Sequence, residues 1–284
     1  MSQGEKRIPF TNLFKLVDDA QRRLANHKHK LMILSGKGGV GKTFVTSSLA
    51  LALAMKGRKV SVLDADLHGS SIPSMLGLHG YRHYANDNGE ILPVEGPLGI
   101  RVVSLNLMLD SPDTPVIWRG PLASRALTEL FSKVAWGEGD YLLIDMPPGT
   151  GDIAITVAQT LRDIDGAVIV SAPNTLTEVI VSKAINFAAK SNVKIIGVVE
   201  NMSYFRCPVC GTVHHILGKP TSEHLIAKYG LAMLGKIPID PLINDAVDKG
   251  VPFLLEYPDS EASKTIFEIT EKIMKIVEGD KNNE

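Results

Sequence analysis

"LMILSGKGGVGKTFVTSSLALAL", Leu31 to Leu53, is the stretch that decides the fold. Leu31 to Leu34 form a short apolar run that reads as a strand. The stretch from Lys42 onward reads as a helix closed by Gly57. Between them, Gly36 to Thr43 fit the pattern G-x-x-x-x-G-K-[ST], in the strand-then-helix context that phosphate binding requires. At Gly36, Gly38, Gly39, Val40 and Gly41 the glycine-rich backbone can turn its N–H groups toward phosphate oxygens. Lys42 is placed to reach the β- and γ-phosphates, and the Thr43 hydroxyl to sit on Mg²⁺, with the helix start adding a favourable dipole. A glycine-rich turn that merely joins strand to helix is the plainer alternative, and the agreement of motif with context weighs against it. The loop also carries Lys37, which an ordinary phosphate loop does not need. A lysine this early can point away from its own phosphates, reach a nucleotide in a facing subunit, and neutralise charge on the γ-phosphoryl group. The alternative for Lys37 is a solvated surface charge.

The same alternation continues outward along the chain. Apolar runs recur at Lys59–Leu63, Tyr141–Ile144, Ala167–Val170, Lys194–Val199 and near Leu234, separated by helical stretches. Continuously apolar strands alternating with helices predict an α/β fold whose mostly parallel sheet has helices on both faces. In such sheets, functional residues gather at the carboxyl ends of the strands. The segment from Asn86 to Leu109 reads as an extension on the sheet edge, and Ser263 to Val277 as a closing amphipathic helix. With no internal repeat or low-complexity linker, the expected layout is a helical extension over 1–29, one domain over 30–278 and a fraying tail over 279–284.

Bulk composition narrows the classes. The chain has 284 residues, 44% of them hydrophobic, enough for a sizeable core. A formal net charge of -1 gives no general attraction to nucleic acid. The basic stretch Arg22 to Lys30 reads as a solvated helix end. The N-terminal "MSQGEKRIPF" has no apolar signal segment, and no run approaches the roughly 20 apolar residues of a membrane span. A cytoplasmic protein without a nucleic-acid or membrane partner is the expectation.

Two further sets of residues carry chemistry. Asp64 and Asp66 follow the second apolar strand, and Asp145 ends a later one. An aspartate at a strand end can hold magnesium directly or through water, the role expected of Asp145. Asp66 is expected to position the attacking water and to share the magnesium site, directly or through water, with Asp64 supporting the loop or capping a helix. Gly149 and Gly151 give the next loop room to move. The second set lies in "YFRCPVCGTVHH", Tyr204 to His215, which holds Cys207 and Cys210, the only cysteines in the chain. Cys-x-x-Cys suits metal or redox use in a reducing compartment. Two thiolates are too few for an all-cysteine metal site. A zinc site with His214 and His215 has close, adjacent histidines unlike the longer spacing of zinc modules. A thioredoxin-like dithiol would open a helix after a strand, which this pair does not.

Together these segments resemble the deviant Walker A ATPases of the MinD/ParA superfamily, with their P-loop NTPase fold. Within it, the chain is similar to the Mrp/ApbC/Nbp family of iron–sulfur cluster carriers. The resemblance rests on "GKGGVGKT", "VLDADLHGSSIPSMLG", "WRGP" (Trp118–Pro121), "LLIDMPPGTGD" and "GVVENMSYFRCPVCG", spanning Gly36 to Gly211. It implies an ATP-hydrolysing carrier. Lys37 then matches the signature lysine that contacts nucleotide across a dimer. Lys42 and Thr43 match the phosphate and magnesium ligands, Asp66 the switch aspartate and Asp145 the Walker B residue. Asn201 falls where the family recognises the adenine base, and Pro238 and Asp240 fall in the other base-side loop. Cys207 and Cys210 match cluster ligands, one pair from each subunit of a homodimer bridged by a [4Fe–4S] cluster, with zinc as a substitute at the same thiols. Four thiolates are what an all-cysteine [4Fe–4S] cluster needs, and two-fold symmetry supplies them. Recipient apoproteins are the implied partners. The chain departs from the family at Ser70, where a proline is usual, and in the glycine-poor "LGKPTSEHL". It also lacks the extra four-cysteine segment of some eukaryotic relatives, which favours the simpler prokaryotic-type carrier.

Two other functions compete. A positioning or partition ATPase needs an amphipathic membrane helix or a basic surface; the last helix instead mixes Glu268, Glu271 and Glu278 with lysines. A nitrogenase-reductase-like electron donor has bridging cysteines far apart in sequence, unlike this adjacent pair.

Overall fold

The computed structural model describes residues 13–66, 71–104, 107, 120–149, 152–161, 163–173, 177–218 and 222–279. The readings at Ser70, Trp118, Arg119, Gly151, residues 219–221 and the tail from 280 lie outside them. In chain order the first half runs α1 (Leu13–Leu24), β1 (His27–Leu34), α2 (Lys42–Met55), β2 (Val60–Asp64), α3 (Ile72–Met75), β3 (Val94–Glu95) and β4 (Arg101–Ser104). The middle runs α4 (Gly120–Lys133), β5 (Gly139–Asp145), α5 (Asp152–Thr160), β6 (Gly166–Ser171), α6 (Thr177–Lys190) and β7 (Ile195–Glu200). The last part runs β8 (Phe205–Arg206), β9 (Val213–His214), α7 (Ser222–Tyr229), β10 (Met233–Lys236), α8 (Pro241–Lys249), α9 (Phe253–Glu256) and α10 (Glu261–Gly279).

Eight strands form one sheet in the order β10-β7-β6-β1-β5-β2-β4-β3. All neighbours pair in parallel except β3, which runs antiparallel along the edge of β4. The sequence explains this. Every residue of β2 and β6 is buried, so these strands need helices above and below them. One face packs under α2, α3, α9 and α10; the other packs under α1, α4 and α5, with α6 and α7 covering β6 and β7. The expected α/β architecture with a mostly parallel sheet is the observed one. The segment after Asn86 does supply an edge, as β3 and β4.

α2 is buried from Phe44 to Leu53 on nearly all sides, as expected for a helix held between a sheet and an outer helix. Its start at Lys42 is therefore fixed by core packing, which holds the preceding loop in place.

The structure corrects one expectation. The stretch Arg22 to Lys30 is not a solvated helix end. Arg22 and Arg23 close α1, but His27 to Lys30 are the first half of β1, with His27 paired to Gly139 and Lys30 to Leu142. His27 is only 2% exposed, and its Nε2 lies 2.9 Å from Ser61 Oγ. Burial, followed by the nearby Arg101 charge, pushes its imidazole down to about 4. The Asp165 carboxylate accepts the Lys30 backbone N–H at 2.8 Å. Pairing with β5 and the Asp165 carboxylate satisfies the backbone, and the Ser61 hydroxyl gives the buried His27 imidazole one polar partner. α1 lies on the domain, with Leu16, Ala20 and Leu24 buried at four-residue spacing and α4 as its neighbour.

Candidate functional site

The loop after β1 turns through Gly39 (φ 77°) and Gly41 (φ 76°), both in the left-handed region where a side chain is strained. A second constraint acts at Gly41. A Cβ there would collide with the Asn201 Nδ2. That Nδ2 donates to the Val40 carbonyl at 3.0 Å, so the end of β7 braces the loop from the side. Gly149 donates to the Ser35 carbonyl at 3.0 Å, tying the loop after β5 to the same turn.

Asp145, at the end of β5, is fully buried. Its Oδ2 accepts from Thr43 Oγ1 at 2.8 Å, and its Oδ1 accepts from Thr46 Oγ1 at 2.7 Å. The Lys42 ammonium, 6% exposed, lies 2.7 Å from the same Oδ1. Three side chains on the first turns of α2 thus converge on one carboxylate. Thr46 escaped the sequence reading. Its signal was its place one helical turn beyond Lys42 and Thr43, on the face toward β5.

Lys42 and Thr43 also line a cleft of about 300 Å³, together with Lys37, Gly38, Asp66 and Met75. Lys37 is exposed on the rim. Asp66 is half-buried, and its backbone N–H donates to Asp64 Oδ1 at 3.2 Å. Asp64 is buried and takes a 3.3 Å hydrogen bond from Ser104 Oγ, so it supports the loop and Asp66 faces the cleft. The Thr43 hydroxyl and the Asp145 carboxylate offer oxygen ligands, the kind a hard divalent cation prefers.

Asn201 sits beside the phosphate loop, whereas Pro238 and Asp240 do not line that cleft. Asp240 caps α8, its Oδ1 accepting the Leu242 N–H at 3.0 Å. Pro238 and Asp240 border a separate groove of about 580 Å³, together with Cys207, Pro208 and Leu242.

The cysteines occupy the tip of the β8–β9 ribbon. Cys207 N–H donates to the Thr212 carbonyl, and Gly211 N–H to the Cys207 carbonyl, both at 2.9 Å. Gly211 takes φ 72° to close this turn. Both thiols are free; Cys207 is half-buried and Cys210 exposed. The Cys210 sulfur lies 3.2 Å from Thr212 Oγ1. The Thr212 hydroxyl, then its backbone N–H, then the Cys207 thiol hold the Cys210 thiol below its ordinary range. Among the described residues, no three His, Cys, Asp or Glu side chains gather as a metal-binding group. His215 turns back to the Ser203 carbonyl, with its Nδ1 at 3.3 Å. Also among the described residues, no helix is long and apolar enough to cross a membrane.

A glycine loop between a parallel strand and a buried helix, with lysine and threonine converging on a strand-end aspartate, defines a P-loop NTPase. Residues 26–274 match the ParA family described as NUBPL iron-transfer P-loop NTPase, and the chain belongs to that family. An iron-sulfur cluster carrier protein of Saccharolobus solfataricus is 49% identical over 91% of this chain and 87% of its own length. Among solved structures, a nucleotide-binding protein of Archaeoglobus fulgidus in complex with ADP is 40% identical. It aligns with a TM-score of 0.74 over 84% of this chain and 92% of its own. The Pyrococcus furiosus cell division ATPase MinD, 24% identical with a TM-score of 0.64 over 88% of this chain and 99% of its own, shares the fold.

Proposed function

We propose that the protein is a cytoplasmic, ATP-hydrolysing iron–sulfur cluster carrier that works as a homodimer. The observation that carries this reading is a Cys-x-x-Cys turn with both thiols free, projecting from the sheet edge that also bears the Lys42–Thr43–Asp145 centre. Cys207 and Cys210 of each copy together supply the four thiolates of a [4Fe–4S] cargo. The cluster is passed from there to recipient apoproteins. Ligation needs both thiols as thiolates.

At the nucleotide, the backbone from Gly36 to Gly41 cradles the phosphates. Lys42 leaves Asp145 to meet the β- and γ-oxygens. Thr43 and Asp145 would hold Mg²⁺, which would offset the phosphate charge. Asp66 orients the attacking water, and Lys37 of the facing copy neutralises charge that develops on the γ-phosphoryl group. The Asn201 Nδ2 is committed to Val40, so contact with the adenine amino group falls to its Oδ1. Pro238 and Asp240 shape the base-side loop.

The reading separates two activities by residue. Lys42→Ala should lower hydrolysis by about a hundredfold or more and still accept a cluster in vitro. Cys207→Ala and Cys210→Ala should each lose stable cluster uptake and keep magnesium-dependent hydrolysis. Iron content, visible absorbance and phosphate release, compared across the three proteins after identical anaerobic reconstitution, decide it. A wild-type cluster load on either cysteine variant would remove these thiols from the ligand set.

A further inference from the structure

The cysteine turn stands on a ribbon with two residues in each arm. From Arg206 to Gly218 every residue is exposed except Cys207, which is half-buried. Core packing therefore cannot set the direction of the thiols. One carboxylate supplies what the core does not. Glu261 opens α10, a helix anchored on the sheet by Ala262, Ile266 and Ile269. Its Oε1 and Oε2 take Arg206 Nε at 3.1 and 3.0 Å, and Oε1 takes Arg206 Nη2 at 3.1 Å. Oε1 also accepts from the Tyr204 hydroxyl at 2.9 Å. The remaining edge of the guanidinium donates through Nη1 to the Gly211 carbonyl at 3.3 Å. Gly211 follows Cys210 directly, so a single planar fork ties the arm before Cys207 and the peptide behind Cys210 to a fixed helix. The Tyr204 carbonyl accepts from Ile239 N–H at 2.6 Å, which joins the base of the same ribbon to the Pro238–Asp240 loop.

We propose that Arg206 and Glu261 are positioning residues for the cysteine turn, holding Cys207 and Cys210 at a preset spacing and facing. This proposal rests on the carrier reading above. Groups that orient ligands from behind lower the cost of ordering them at the moment of capture and slow their release. The pair is well exposed, with side chains 47% and 40% accessible. Such a pair contributes little to global stability, so its effect lies in the geometry of the turn. Lysine cannot replace arginine fully, because a point charge cannot grip the carboxylate and the Gly211 carbonyl together.

The test uses Arg206→Gln, Glu261→Gln, their double variant and Arg206→Lys, in the full chain. After anaerobic reconstitution, cluster loss to an iron chelator is followed by visible absorbance. Each glutamine variant should lose the cluster about tenfold faster than wild type, with unchanged thermal midpoints. The double variant should be no faster than either single, because both substitutions cut one clamp. Arg206→Lys should fall between wild type and Arg206→Gln. Wild-type release rates in both singles, or rates that multiply in the double, would overturn the proposal. A measurement on the cluster-free protein keeps the two ideas apart. Phenylarsine oxide binds a dithiol by forming two As–S bonds and releasing water, and it should bind wild type more tightly than either glutamine variant. If wild type takes up no cluster, the carrier reading fails, and equal arsenical affinity in all variants would separately overturn the clamp.

Discussion

Around Asp145 the polar groups converge: two threonine hydroxyls and a buried ammonium lie within 2.8 Å of one fully buried carboxylate. Around Cys210 the chain faces solvent, with the adjacent Val209 side chain 93% exposed. Both regions lie at the carboxyl edge of one sheet and are linked through β7 and Asn201. The first is set by the core: α2 is buried from Phe44 to Leu53, so its start cannot shift without disturbing the domain. The second is set by surface contacts that tolerate change. A site that binds phosphate and times its hydrolysis gains from fixed geometry. A site that must give its cargo away gains from standing clear of the core.

That contrast can be broken in order of expected effect. Asp145→Ala leaves the Lys42 ammonium buried without its carboxylate, and should cost about 3–5 kcal/mol of stability in urea unfolding. A loss below about 1 kcal/mol, the scale of an exposed pair, would mean that the two regions are held alike. Next comes the rim of the cleft. Lys37→Ala and Asp66→Ala homodimers should both be inactive, but a mixture should recover about a quarter of wild-type hydrolysis. Random pairing makes half the dimers mixed, each with one intact composite site. No recovery, with mixed dimers verified by mass, would place Lys37 in its own subunit or out of the reaction. Smallest of all, Cys210→Ala should shift unfolding by no more than about 0.5 kcal/mol, as for an exposed surface position. A larger loss would show that the turn contributes to the core after all.

Much of the buried region was legible in the sequence, because its signals are local. The strand, the glycine turn and the helix occupy consecutive residues from Leu31 onward, and Asp64 and Asp145 sit where apolar runs stop. Its long-range parts were not legible. Nothing near Asn201 shows that its amide meets Val40, 161 residues away. Nothing in "NHKHK" shows a strand, because the polar side chains of His27 and Lys30 mask a backbone that pairs with β5, more than a hundred residues later. For the cysteines the situation is reversed. The spacing and the turn residues Pro208 and Gly211 were plain, but the hold on the turn was not. Arg206 and Glu261 are 55 residues apart, and each alone reads as a solvated charge. The helix-capping role of Asp240 is legible in "DP" before α8, but the groove that Pro238 and Asp240 share with Cys207 has no local signal.

The central claim is that two exposed cysteine turns, one from each copy, share one cargo cluster. Iron content and native mass, measured together on the anaerobically reconstituted wild-type protein, test it most directly. The account predicts about four irons per two chains, with the cluster confined to the dimer. A full cluster load on monomeric chains, or a dimer whose chains each carry their own complete cluster, would contradict it.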